Sequence, residues 1–155
     1  MAKKTISVIG GHKADEKVLA LAGDIGRIIA EKGFVLVCGG LSGIMEASCK
    51  GAKSAGGLTV GIIPGERKEA ANPYVDIVIP TGMGYSRNTL VACSSDIVVA
   101  LPGEYGTLSE IGFALIAKKK VYGFNTWEIP GVRMLSTVEE LGEELKRVAK
   151  CRMSG

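Results

Sequence analysis

Short apolar runs alternate with helix-length stretches along the whole chain, and glycines close most of the runs; together these predict an α/β fold, a doubly wound parallel sheet of six to seven strands with helices on both faces. A third observation points the same way. Residues 97–101 (IVVAL) form an unbroken apolar run, as expected for a strand buried on both faces of a parallel sheet. At 155 residues the chain is read as a single domain over 1–155, with one core and no linker.

The elements follow in order. Residues 5–9 are the first strand, and Gly10-Gly11 turns it into a helix over residues 14–32, on which Val18, Leu21, Ala22, Ile25, Ile28 and Ile29 share one stripe. Gly33 closes that helix as a C′ residue. Residues 34–38 are the second strand. It enters a helix over residues 44–55 through Gly39-Gly40-Leu41-Ser42-Gly43, with Ser42 as the expected N-cap. Residues 58–63 are a third strand, 64–73 a polar surface loop, and 75–79 a fourth strand ending in Pro80-Thr81-Gly82-Met83-Gly84. A helix over residues 85–94 leads into the 97–101 strand. After the next helix, residues 120–124 make a sixth strand, residues 125–131 are irregular, and residues 132–135 add an edge strand. A polar helix over residues 137–150 completes the chain, with Val138, Leu141, Leu145 and Val148 on its apolar side. The expected Rossmann-like strand order is 3-2-1-4-5-6, which opens a crevice at the carboxyl ends of strands one and four.

The chemistry concentrates in residues 96–110. After the apolar strand comes a tight turn at Pro102-Gly103, then Glu104, Tyr105 and Gly106, then Thr107 as the expected N-cap of an apolar helix running from Leu108 to Ala117, residues 108–117. Strand, glycine turn and helix start leave main-chain N–H groups unpaired at the positive end of a helix dipole, where a phosphate is stabilised. Glu110 has two readings. Thr107-x-x-Glu110 fits a capping box, and Thr137-x-x-Glu140 repeats the pattern before the last helix without a glycine turn. Alternatively, Glu110 is a functional carboxylate beside an anion site. Turns at Gly10, Gly39, Gly82 and Pro102 all fall on the carboxyl edge of a parallel sheet.

Composition narrows the function classes. The net charge of +3 is mild and the basic residues are scattered, apart from residues 118–120 and the tail 146–152, so a nucleic-acid stripe is not expected. Aromatic residues at 5% are too few for a single-strand stacking groove. One histidine, His12, and four cysteines without C-x-x-C spacing support neither a zinc site nor a Ser-His-Asp triad. The cysteines read as reduced thiols, the N-terminus lacks a signal-peptide pattern, and no apolar run approaches membrane-spanning length; a cytoplasmic location is expected.

Three pieces carry a resemblance: Gly39-Gly40-Leu41-Ser42-Gly43-Ile44-Met45, Arg87, and Pro102-Gly103-Glu104-Tyr105-Gly106-Thr107-Leu108-Ser109-Glu110. Together they resemble the Lonely Guy (LOG) superfamily, whose signature is P-G-G-x-G-T-x-x-E after a strand, with an upstream arginine and a G-G-x-x-G-x-M loop. Ser86-Arg87-Asn88 and residues 56–61 look most like its molybdenum-cofactor carrier branch. Two residues depart from the pattern: Asn88 stands where lysine usually follows the arginine, and Glu104 replaces the second motif glycine.

The resemblance implies a phosphorylated small-molecule ligand, a nucleoside monophosphate or a pterin such as the molybdenum cofactor, with no cofactor required. Its ligand-binding positions are Gly10, Gly11, Gly39, Gly40, Ser42, Gly43, Met45, Gly82, Arg87, Asn88 and residues Pro102 to Thr107. It also implies an alternative activity, hydrolysis of the N-glycosidic bond of nucleoside 5′-monophosphates, with Glu110 stabilising oxocarbenium-like charge or activating water and Arg87 holding the phosphate. From the residues alone, Arg87 is equally an ion-pair partner for Asp96. A third reading, a nucleic-acid-binding module, meets the charge and aromatic arguments above. The helix over residues 108–117 is apolar nearly all round, which fits either a buried core helix or the homodimer contact that the superfamily implies.

Overall fold

The computed structural model describes residues 2–151; Met1 and Arg152, the last basic residue of the tail, lie outside them. Seven parallel strands make one sheet: β1 (Thr5–Ile9), β2 (Val35–Cys38), β3 (Thr59–Ile63), β4 (Ile77–Pro80), β5 (Ile97–Ala100), β6 (Lys120–Gly123) and β7 (Val132–Met134). Five α-helices join them: α1 (Glu16–Glu31), α2 (Ile44–Ser54), α3 (Asn88–Cys93), α4 (Tyr105–Ile116) and α5 (Val138–Lys150). No described helix is long and apolar enough to cross a membrane.

The sheet order is β4-β3-β2-β1-β5-β6-β7. The expected order fails at one place. The strand after β3 does not cross to β1 but continues outward on the same edge, pairing Val60 with Ile77 and Ile63 with Pro80. A surface loop and a one-turn 3-10 helix, Lys68–Ala70, are the whole connection, and β4 is exposed or half-buried at every residue, as befits an edge. The chain then returns over the sheet through a 3-10 turn (Gly84–Arg87) and α3, so β5 pairs with β1. The reversal therefore lies between β1 and β5.

Two apolar layers hold the sheet. On one face Ala22, Ile25 and Ile29 of α1, Cys49 and Ala52 of α2, and Leu141 and Leu145 of α5 pack against Ile6, Leu36, Val99 and Tyr122. On the other, Val91 and Ala92 of α3 and Ile111 and Ala114 of α4 cover Ile9, Val37, Val98 and Val121. Strands β1, β2 and β5 are buried on both faces; the aliphatic runs of β2 and β5 require it, and in β1 the buried Ser7 is satisfied by hydrogen bonds. Helices α1 and α2 cross so closely that a Cβ on Gly26 would sit 1.9 Å from the Ser48 carbonyl oxygen. Glycine is needed there because the backbones themselves touch.

Candidate functional site

Three strand-to-helix turns are fused into one rim. Leu101 donates its N–H to Ile9 O at 2.9 Å, Gly11 donates to Pro102 O at 2.9 Å, and Ile44 at the start of α2 donates to Gly11 O at 3.1 Å. The approach leaves no room for side chains. A Cβ on Gly10 would lie 2.7 Å from Ile44 Cδ1, and Gly43, at φ 68°, would meet His12 C at 2.4 Å.

Helix α4 begins three residues earlier than expected. Glu104, with extended backbone, is its N-cap and makes no side-chain capping bond; Tyr105, Gly106 and Thr107 are the first three helical residues. Thr107 is therefore inside the helix, and Thr107-x-x-Glu110 is not a capping box. The reason is local: the turn Pro102-Gly103 already supplies the sharp entry, so the residue after it takes the cap position. By contrast, the threonine cap at α5 forms, with Thr137 Oγ1 accepting from Glu140 N and Glu140 reaching back to accept from Ser136 N, the residue before the cap, both at 3.3 Å. At α4 the first N–H to bond back is that of Leu108, to Glu104 O at 3.0 Å. The five amides of residues 103–107 have no acceptor among the described residues. Glu104 itself is exposed, so its carboxylate stays with solvent instead of occupying these amides.

Arg87 and Glu110 flank this row. Ser7 Oγ fixes the α3 segment to β1 by bonding Val91 O at 2.5 Å and Ser95 Oγ at 2.6 Å. At the head of that segment Arg87 donates Nε to Ile62 O at 2.8 Å, Nη2 to Gly39 O at 3.4 Å and Nη1 to Asn88 Oδ1. Asn88 Nδ2 in turn donates to Gly106 O at 3.4 Å and Ser109 Oγ at 3.3 Å, tying the arginine to the first turn of α4. A Cβ on Gly39 would be 2.7 Å from both Arg87 Nη2 and Met45 Sδ, so these three residues share one corner. The alternative pairing with Asp96 does not form; Asp96 accepts from Thr5 N at 2.9 Å.

Glu110 is buried at 7% exposure and makes no hydrogen bond among the described residues. Burial pushes its carboxyl up to about 8, against the opposing pull of the Arg87 charge. Burial likewise lowers Arg87, with Glu110 offsetting it.

Gly40, at φ 76°, donates N–H to Cys38 Sγ at 3.3 Å and accepts from Asn72 N at 2.9 Å. Gly43, not Ser42, holds the N-cap position of α2; Ser42 Oγ instead donates to His12 O at 3.1 Å, which ties the glycine loop to the β1 turn. Gly82 stands apart. It follows the edge strand β4, roughly 14 Å from β1 at three strand spacings, and its N–H bonds Gly65 O at 3.0 Å.

An open depression of about 310 Å³ beyond β6 was not anticipated; Pro102, Gly103, Asn125, Thr126 and Trp127 line it. Residues 125–131 carry no periodic pattern, and the one available signal was the chain's single tryptophan beside an Asn-Thr pair after a strand.

The SLOG cluster4 family model matches residues 3–152. The chain belongs to the SLOG cluster4 family. An uncharacterized protein of Archaeoglobus fulgidus is 47% identical over 136 residues, covering 87% of this chain and 89% of that protein. The solved structure of the molybdenum cofactor binding protein from Rippkaea orientalis is 36% identical, with a TM-score of 0.89 over 96% of this chain and 99% of that one. The cytokinin riboside 5′-monophosphate phosphoribohydrolase of Mycobacterium tuberculosis is 37% identical over 98 residues, 61% of this chain and 52% of the enzyme. The chain thus spans about half of that enzyme's length. The LOG resemblance and its carrier-like branch both stand.

Proposed function

We propose that this SLOG cluster4 protein binds a phosphorylated, nucleotide-like small molecule, a nucleoside monophosphate or a phosphorylated pterin, and holds it without turnover. The observation that carries this reading is the run of unpaired amides at residues 103–107, at the positive end of α4. A phosphate there receives several N–H donors at once and sits beside Arg87. An arginine has five N–H donors, and bonds to Ile62 O, Gly39 O and Asn88 Oδ1 hold the group in place while leaving others for an anion. The likeness to a molybdenum cofactor binding protein over nearly the whole of both chains supports the carrier form of the reading.

Hydrolysis is the second reading, and Glu110 favours it in one respect: a buried carboxyl beside an arginine is the group that would act on a ribosyl C–N bond. Its pKa near 8 limits the role, however. At neutral pH the carboxyl is mainly protonated, which suits donation of a hydrogen bond or a proton to the ligand and not deprotonation of water.

The deciding experiment is native mass spectrometry of the purified protein, followed by incubation with AMP, GMP and molybdopterin. A retained phosphorylated ligand with no free base released supports the carrier. Release of base that Glu110→Gln abolishes supports the hydrolase. Failure of all three compounds to bind removes both readings.

We also propose that a second copy of the chain covers α4. Tyr105, Phe113 and Ile116 make an exposed stripe at i, i+8 and i+11, and Leu90 of the adjacent α3 extends it. A fully buried core helix, the other sequence expectation, is ruled out by Ile116 at 79% exposure.

A further inference from the structure

The loop after β6 gives the candidate site a second half. Strands β5 and β6 run in register to their ends, Ala100 opposite Gly123, and Phe124 N still bonds Ala100 O at 2.9 Å. The segments that leave them, Pro102-Gly103 and residues 125–127, therefore emerge side by side on the carboxyl edge. An open depression of about 310 Å³ lies between them. Gly103 belongs to both halves: it lines this depression and supplies the first of the unpaired amides. Arg87 and Glu110 stand on the other side of that row, toward β2 and β3.

The lining defines what fits. None of the five lining residues is charged, so a second phosphate has no counter-charge there. Trp127, the one tryptophan in the chain, is half-buried, packed in part against the α3 and α4 core layer, and lines the depression together with the apolar Pro102. The polar groups of the loop are unfinished. Asn125, held at φ 49°, is exposed, and its side-chain amide makes no hydrogen bond among the described residues. Thr126 Oγ1 is a buried oxygen with no partner among them, although buried polar atoms normally have one. An amide that both donates and accepts, next to an aromatic side chain, matches the edge and face of a flat heterocycle.

We propose that Asn125, Thr126 and Trp127 form a subsite for the planar, hydrogen-bonding ring of a ligand whose phosphate lies on the amides of residues 103–107. The inference rests on the phosphate reading and adds the ring class, a purine or pterin, and the side of the phosphate on which the ring lies.

Because Trp127 is the sole tryptophan, its emission reports on this subsite without a label. The wild-type protein is titrated with ribose 5-phosphate, AMP, GMP and molybdopterin, following Trp127 fluorescence and, in parallel, calorimetry. Ring-bearing compounds are expected to quench the emission, and ribose 5-phosphate to bind without doing so. Trp127→Leu should weaken the ring-bearing compounds by roughly 5- to 150-fold, the range for loss of one stacked base, and leave ribose 5-phosphate unchanged. Thr126→Val, nearly isosteric, should weaken the same compounds; it and the wild-type emission decide the matter if Trp127→Leu does not fold. Binding of AMP with unmoved emission and unchanged affinity in both variants overturns the subsite and leaves the phosphate site standing. Failure of ribose 5-phosphate and every ring-bearing compound to bind overturns both.

Discussion

Arg87 and Glu110 lie in one crevice at equal burial, each 7% exposed, yet the arginine is fully anchored and the carboxyl has no hydrogen bond among the described residues. They act on each other through charge and do not form a direct ion pair. An arginine held by three hydrogen bonds beside a buried acid that has none is costly for the acid, whose desolvation no donor among the described residues offsets. It becomes intelligible if a ligand completes the arrangement. The anion would take the remaining guanidinium N–H groups, and the carboxyl would meet the rest of the molecule.

That arrangement sets a pH dependence. Glu110 has an ordinary value of 4.5 and is raised to about 8 in the folded protein, so the native state retains a proton that the unfolded chain has released. The associated stability is fully present below about 4.5 and is lost as pH rises through about 8. Glu110→Gln cannot ionise and should flatten this part of the profile, becoming the more stable protein at the alkaline end. Thermal melts of both proteins across this range check it; parallel profiles would count against the buried acid.

Arg87 should separate its two roles under substitution. Arg87→Ala leaves Ile62 O and Gly39 O without their donor, and is expected to destabilise by about 1–3 kcal/mol for the buried groups left unsatisfied. Arg87→Lys keeps the charge but cannot reproduce three directed bonds from one planar group. It should retain most of the stability and lose ribose 5-phosphate affinity by roughly tenfold, about the worth of one charge-assisted hydrogen bond. Urea unfolding and calorimetry, run on the same preparations, distinguish the two effects. Unchanged affinity in Arg87→Lys would remove Arg87 from the phosphate site.

Much of this was legible in the sequence because glycine and aliphatic residues are dictated by backbone geometry. The β5 run, the Pro102-Gly103 turn and the Gly39 to Gly43 loop are where the pattern put them, since only a doubly buried strand needs IVVA, and a side chain would collide with Thr107 at Gly103 and with His12 at Gly43. The start of α4 was misplaced because Thr107 has a good N-cap side chain, while the cap is decided by the turn before it and falls on Glu104. The position of β4 was not legible: residues 77–79 read as apolar strand whether the partner is β1 or β3, and crossover choice depends on how the connection packs. The role of Asn88 was hidden for a similar reason. The two bonds that its Nδ2 donates reach residues of α4 18 and 21 positions away, a distance that no local pattern encodes.

Gly103 offers a sharp test of the amide row. A Cβ there would lie 2.1 Å from Thr107 Oγ1 and 3.0 Å from Gly11 N, so alanine must push the first turn of α4 away from the β1 turn. Gly103→Ala is expected to reduce ribose 5-phosphate binding more than tenfold, through displaced N–H groups and not through lost charge. Gly65→Ala is the control, since nothing lies within 4 Å of a Cβ at that position. Wild-type affinity in Gly103→Ala, measured by calorimetry on folded protein, would show that the phosphate lies elsewhere.

The outer face of α4 gives a prediction about assembly. Ile116 is 79% exposed and Tyr105, at the start of the same helix, 86%, with Phe113 between them on one stripe. Burying these side chains against a two-fold copy removes apolar surface from water, at roughly 25 cal/mol for each Å² covered. Placing a carboxylate at the centre of such a contact confronts it with its own symmetry mate, and like charges brought together out of water repel strongly. Ile116→Glu should therefore convert a dimer to a monomer while leaving the sheet and its melting behaviour largely intact, because the residue touches no part of either core layer. Light scattering coupled to size exclusion reads the mass directly. Since Tyr105, the first residue of α4, also lies within the unpaired row, the monomeric variant should bind ribose 5-phosphate more weakly if the partner copy closes over the phosphate, and equally well if it does not. A wild-type protein that is monomeric at every concentration tested would leave the stripe without its proposed occupant and the phosphate site confined to one chain.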